Sequence, residues 1–218
     1  MNYFSETLPE AVRRQCAAAL AALDANPNYN LPPYQRLLVY RTLGPWQGQA
    51  GRLRRVRLAL LAVDRAKLVW EHERPDDRRM LHLCEVAERL TVGQADAQAA
   101  SEEAHATWKW LTNQYDDRHE DISDRAQMAL QAALDAVENA LGHPRFEFDG
   151  VDEIITEQTT EDNIDPWSSD AARDAAAAYA GPVWEPSSDR EKRLEFWTWW
   201  LREAVPAAWR AVPEPDMR

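Results

Sequence analysis

The sequence predicts an all-α protein, a single domain over residues 1–218 built as a bundle of about eight helices with a long acidic loop between helices six and seven. Three observations favour this fold class. Of 218 residues, 35 are Ala and only four are Ile, a composition that suits helices better than strands. Apolar residues recur every three to four positions through most of the chain, which is the period of an amphipathic helix. Short connections between these stretches favour antiparallel neighbours.

Three helices are expected in the first third of the chain. A capping-box spacing opens the first at Thr7, and this helix is expected to end near Asp24. Pro33 suits the start of a second helix, which runs through Leu43. The third is expected over about 50–72. Its first turns carry four arginines for which internal ion pairing is favoured over phosphate binding, namely Arg52, Arg54, Arg55 and Arg57.

Three further helices are expected in the middle of the chain. Pro75 and the two aspartates after it predict the start of a fourth helix, and Gly93 separates it from a fifth over about 94–115. A sixth is expected over about 122–141 and is stopped by Gly142. Each has one apolar stripe, as expected for helices that pack on one side.

The acidic segment 143–167 interrupts this pattern. Residues 146–151 fit a very short hairpin, but eight acidic residues lie between 147 and 165. Two closing helices are expected over about 168–180 and 188–211. Serine pairs suited to helix capping precede them, at Ser168, Ser169, Ser187 and Ser188.

Tryptophan is unusually frequent, with ten residues in the chain and four of them between 197 and 209. The apolar arc of the last helix is wider than packing on one side requires. We favour a core position between two layers of the same domain, because aromatic residues serve cores more often than interfaces. Trp46 and Trp184 stand beside prolines in loops, which makes them better candidates for contact with a partner.

The charge balance limits the classes of partner. Asp and Glu number 37 against 25 Lys and Arg, a formal net charge of −12, so direct binding to nucleic acid or an anionic membrane is not expected. A charged partner is expected to be basic. The chain shows no signal-peptide pattern and no apolar run long enough for a membrane span, and Cys16 and Cys84 lack metal or redox spacing. A cytoplasmic protein is therefore predicted.

Catalytic motifs are absent from the sequence, and no cofactor is predicted. One spacing leaves an enzyme open as an alternative. Glu102 and His105 stand three residues apart on a predicted helix, as in metal-carboxylate bundles, with Asp116 and His119 as the nearest second pair. A solvated helix face is the more ordinary explanation.

Two acidic clusters are the most informative feature. One precedes the sixth helix, and its acids are Asp116, Asp117, Glu120, Asp121 and Asp124. The other lies within 147–165, and apolar residues are interleaved with its acids or border them: Phe146, Phe148, Val151, Ile154, Ile155, Ile164 and Trp167. A solvated linker would lack such apolar anchors, whereas an ordered acidic loop suits recognition of a basic protein. Both interpretations are open at this stage.

Two stretches carry a family resemblance. Residues 55–90, RVRLALLAVDRAKLVWEHERPDDRRMLHLCEVAERL, and residues 180–209, AGPVWEPSSDREKRLEFWTWWLREAVPAAW, together resemble the all-α immunity-protein family numbered five among bacterial polymorphic toxin systems. The second stretch is the more specific, because helical bias alone rarely produces its aromatic spacing. The matching parts cover about a third of the chain.

The resemblance implies a non-enzymatic immunity protein that binds the catalytic domain of a cognate secreted toxin and blocks its active site. Combined with the acidic clusters, it makes eight residues candidates for partner binding: Asp116, Asp117, Glu153, Glu157, Glu161, Asp162, Asp165 and Trp167. A helical scaffold that dimerises through the last helix is a further alternative. Whether the protein is a monomer or a homodimer is left open.

Overall fold

A computed structural model describes residues 8–116, 122–142, 155–161 and 170–212, with only the backbone of 114–116. Within these ranges the structure has eight helices and no strand, so the predicted fold class is confirmed. The first seven helices are α1 (Glu10–Ala25), α2 (Pro33–Thr42), α3 (Gln49–Glu73), α4 (Arg79–Thr91), α5 (Ala97–Asp116), α6 (Asp124–Leu141) and α7 (Ala171–Ala180). Helix α8 runs through Arg190–Trp199, a π-helical turn at Trp200–Ala204, and Val205–Ala211. The hairpin expected at 146–151 lies outside the described residues.

Several helix starts differ from the prediction. Helix α1 begins at Glu10 after an N-cap at Pro9 that makes no side-chain cap hydrogen bond, and α5 begins at Ala97 rather than near residue 94. Helix α4 begins at Arg79 rather than near Pro75, because the carboxylate of Asp77 accepts the backbone N–H of Arg79 at 3.0 Å and holds a turn there. Helices α7 and α8 are capped by Asp170 and Asp189, whose carboxylates accept N–H groups of the first turn. The sequence pattern predicts these caps at the preceding serine pairs, at 168–169 and 187–188.

Helix α6 lies at the centre of the bundle and packs against α3, α4, α5 and α7. The sequence predicts a single apolar stripe for it, but the helix is buried on nearly all sides. Its alanines make this possible, because small side chains let several neighbouring helices approach closely. The buried residues of α6 include Ala126, Ala129, Ala132, Ala133 and Ala136.

The aromatic side chains of α8 belong to the core, as predicted. Phe196, Trp197 and Trp200 are fully buried, and their rings meet edge to face at centroid distances of 5.3 to 5.6 Å. The π-helical turn comes just before Pro206, which has no N–H to donate to the preceding turn. These buried rings are not available for the dimerising surface that the scaffold alternative requires.

Arg54 and Arg55 on α3 are buried and fasten loops. Arg54 donates to the carbonyl oxygens of Leu43 at 3.1 Å and Val212 at 2.9 Å, and its guanidinium lies 3.5 Å from the centre of the Trp209 ring. Arg55 donates to three carbonyl oxygens of residues 44–46 and covers the Trp46 ring at 4.1 Å. Arg54 and Arg55 thus face inward as expected, but these partners are carbonyl oxygens and rings rather than the carboxylates of the predicted ion pairs. Of the other two arginines in the prediction, Arg52 is half-buried and Arg57 is exposed.

Candidate partner-binding surface at the acidic segment

A buried arginine on α2 organises the acidic part of the structure. The Arg36 side chain is fully buried, and its Nη1 donates to Glu161 at 2.5 Å and to the carbonyl oxygen of Leu31 at 2.7 Å. Its Nε donates to Asp170 at 2.8 Å. A buried guanidinium needs such partners, because an unpaired buried charge costs several kcal/mol. Arg36 therefore joins α2 to the acidic segment and to the start of α7.

Asp170 caps α7 and also binds side chains of α2. Its Oδ1 accepts the backbone N–H groups of Ala172 and Arg173 at 3.1 Å, which caps the helix. The same carboxylate accepts the Tyr40 hydroxyl at 2.9 Å in addition to the Arg36 bond. Burial and the neighbouring Asp170 charge raise the pKa of Tyr40 well above its ordinary value, so the hydroxyl keeps its proton and remains a donor.

Glu161 lies between two guanidinium groups. Arg36 binds one carboxylate oxygen, and Arg173 Nε binds the other at 2.8 Å. Arg173 also pairs with Asp174 at 3.2 Å. Burial alone acts to raise the pKa of Glu161, but the charges and hydrogen bonds of both arginines outweigh it and hold that pKa below its usual value. We call this set the Arg36 network: Arg36, Tyr40, Glu161, Asp170, Arg173 and Asp174.

The described part of the acidic segment, residues 155–161, is held against the helices at three points. Ile155 and Thr159 are buried, and Glu161 enters the Arg36 network. Between them, the Thr159 N–H donates to the Thr156 carbonyl at 2.9 Å and forms a turn. Glu157 lies in this turn and is exposed to solvent. The segment thus buries one carboxylate and presents another.

The structure describes the side chains of two of the eight predicted partner-binding residues. Glu157 is exposed, whereas Glu161 is 9 % exposed and already bound to two arginines, which indicates an anchoring role rather than direct contact with a partner. For Asp116 only the backbone is described, at the end of α5. The remaining five lie outside the described residues: Asp117, Glu153, Asp162, Asp165 and Trp167.

The metal-carboxylate alternative finds no support in the described residues. Glu102 and His105 are both exposed on α5; Glu102 accepts a hydrogen bond from Gln98 at 2.7 Å, and the His105 ring stacks on Trp108 at 6.0 Å. In the part of the chain that the structure describes, no three His, Cys, Asp or Glu side chains are grouped so that they could hold a metal ion. His119 lies outside that part.

The comparisons with known proteins decide the family. A protein-family model described as immunity protein Imm5 matches residues 17–207, which is most of the chain. This chain belongs to the Imm5 immunity protein family. Comparison with curated proteins gave no match. The matched residues include every member of the Arg36 network, and the resemblance noted in the two stretches of sequence is confirmed.

Two other features of this Imm5 chain lie outside the Arg36 network. A groove of about 560 Å³ lies between α3 and α4, with Leu60, Leu61 and Leu81 among its apolar lining and Glu71 and Glu88 among its charged lining. Within the described residues, no helix has the length and apolar character needed to cross a bilayer.

Sequence reasoning missed Arg36, Asp170 and Arg173. A signal was present for the first of these, because Arg36 shares the buried stripe of α2 with Pro33, Leu37 and Tyr40. An arginine on an apolar stripe indicates a buried cation that needs acidic partners. Which acids supply them could not be inferred, since Glu161 is 125 residues away in the chain.

Proposed function

We propose that this member of the Imm5 family is a non-enzymatic cytoplasmic protein that binds the catalytic domain of a cognate secreted toxin and blocks its active site. Family membership supports a toxin-immunity role. The finer parts of the proposal, namely a basic toxin surface, occlusion of the active site and the acidic segment as interface, rest on charge and on the anchoring of residues 155–161.

The observation that carries the proposal is that residues 155–161 are fastened to the helices while Glu157 within them is left exposed. Net charge of −12 alone would only attract basic molecules in general. A segment fixed by Ile155, Thr159 and Glu161 presents its exposed charge in one geometry, and fixed geometry is what allows one partner to be distinguished from another.

The test is protection during co-expression with a candidate toxin domain. Glu161 stays unchanged, because its reversal would break the Arg36 network and confuse unfolding with loss of binding. The variant reverses four acids, as Glu153→Lys, Glu157→Lys, Asp162→Lys and Asp165→Lys. We expect it to remain folded, to lose protection, and to associate with the toxin domain about tenfold or more slowly at low salt.

A matched control reverses the same amount of charge at exposed acids elsewhere. Suitable positions are Glu10, Asp24, Glu102 and Glu203, which are all exposed. This control is expected to keep protection. Full protection by the segment variant would show that the acidic segment is not the interface.

A further inference from the structure

Trp184 differs from the other tryptophans of the described residues because its side chain faces solvent. It is 54 % exposed, whereas Trp70, Trp197 and Trp200 are buried. Trp46, the other loop tryptophan, is half-buried and covered by the Arg55 guanidinium. The uncovered surface of an exposed indole contributes nothing to folding, and it remains available to contact a partner.

Hydrogen bonds fix both ends of the loop that carries Trp184. The N–H of Asp189 donates to the Ala180 carbonyl at 2.7 Å, and the buried Arg193 donates to the carbonyl of Gly181 at 3.2 Å and to the Ser188 hydroxyl. Gly181 has φ +87°, and a Cβ at this position would come within 3.1 Å of Ser188 Cα. The indole is therefore presented from a fixed backbone.

Trp184 lies beside the acidic segment. The Arg173 side chain that binds Glu161 also places its guanidinium carbon 5.8 Å from the centre of the Trp184 ring. Glu161, Arg173 and Trp184 line one small cavity of about 20 Å³. The exposed indole and the anchored Glu161 carboxylate consequently border the same cavity.

We infer that Trp184 is the central apolar contact of the surface that binds the toxin domain, and that it packs against a Lys or Arg side chain of that domain. The inference rests on the proposed function and names an apolar contact beside Glu161, in the described part of the acidic segment. A long basic side chain suits this position, because its methylene groups cover the indole, its cation meets the ring face, and the protein carries a net charge of −12. Tryptophans presented from fixed backbone are frequent centres of binding energy.

The test measures the dissociation constant between the full chain and the purified toxin domain. Trp184→Ala is expected to weaken binding about 30-fold or more, mainly through faster dissociation, while Trp184→Phe keeps part of the affinity. Leu68→Ala is the matched control, since Leu68 is 68 % exposed on α3, and it is expected to change affinity less than twofold. Urea unfolding should give the same midpoint for Trp184→Ala and the unchanged protein.

Leu81→Ala tests the groove between α3 and α4 as an alternative binding surface for the toxin domain. Leu81 is 49 % exposed in that groove. If the unchanged protein binds and Trp184→Ala binds equally well, the inference is wrong while the proposed function stands. Weakening by Leu81→Ala without weakening by Trp184→Ala would overturn it in favour of the groove. If the unchanged protein does not bind the toxin domain at all, the proposed function itself fails.

Discussion

Two sets of buried arginines hold this protein together in different ways. In the Arg36 network, two guanidinium groups meet three carboxylates and a tyrosine hydroxyl. At Arg54 and Arg55, the hydrogen bonds described go to carbonyl oxygens, and both guanidinium groups cover tryptophan rings. The first set joins elements far apart in the chain through titratable groups. The hydrogen bonds described for the second set fasten loops and the end of α8 through carbonyl oxygens, which do not titrate.

The two sets of arginines are expected to respond differently to pH. A carbonyl oxygen or an indole ring accepts the same hydrogen bond or cation at any ordinary pH, whereas a carboxylate loses its charge in acid. The anchoring of residues 155–161 through Glu161 is therefore expected to depend on pH, whereas the hydrogen bonds from Arg55 to carbonyl oxygens of the α2–α3 loop are not.

The largest expected effect comes from removing the shared cation. Arg36→Met leaves Glu161 and Asp170 buried without the guanidinium between them, and breaking a buried pair in this way costs about 3 to 5 kcal/mol. Urea unfolding at pH 7 measures the free energy. The deficit should shrink in acid, where Glu161 is protonated in both proteins and no longer needs the cation. A loss below about 1 kcal/mol would contradict the central position given to Arg36.

A smaller effect is expected from Glu161→Gln, which keeps the shape of the side chain but not its charge. Hydrogen bonds to charged groups contribute about 1.5 to 3 kcal/mol, and we expect a loss of that order at pH 7. Because the folded pKa of Glu161 is lowered from 4.5, its carboxylate stabilises the fold above pH 4.5. That contribution disappears as the pH falls through the lower folded pKa.

The pH series supplies the control for Glu161→Gln. Unfolding free energies of the variant and the unchanged protein are expected to converge between pH 4.5 and the lower folded pKa of Glu161. A constant difference across this range would mean that the carboxylate charge is not what anchors the segment.

The smallest of the three effects is expected at the α2–α3 loop. Arg55→Met removes three hydrogen bonds to carbonyl oxygens of residues 44–46, which can bind water once the loop loosens, so the cost is about 1 to 2 kcal/mol. The difference from the unchanged protein should be the same at pH 4 and pH 7. Arg57→Met, two residues further along and exposed, is the control and should stay within about 0.5 kcal/mol. A marked pH dependence of the Arg55→Met loss would point to a carboxylate partner.

Much of the fold could be predicted because helix formation depends mainly on residues a few positions apart in the chain. The period of apolar residues located α3, α6 and α8 to within two residues at each end. Helix starts were less certain, since serine and aspartate cap equally well and only the backbone path shows that Asp170 and Asp189 do so here. The central position of α6 was missed because alanine gives no strong signal of which faces are buried.

The sequence by itself determined the all-α class, the order of the helices, the acidic balance and the family resemblance, because all four follow from composition and local pattern. It could not determine which acids face solvent. Glu157 and Glu161 each follow a threonine in the same segment, and nothing local separates them. Only the tertiary structure brings Arg36 and Arg173 to one of the two and leaves the other in water. Burial of a charge depends on partners that the folded chain assembles from distant positions.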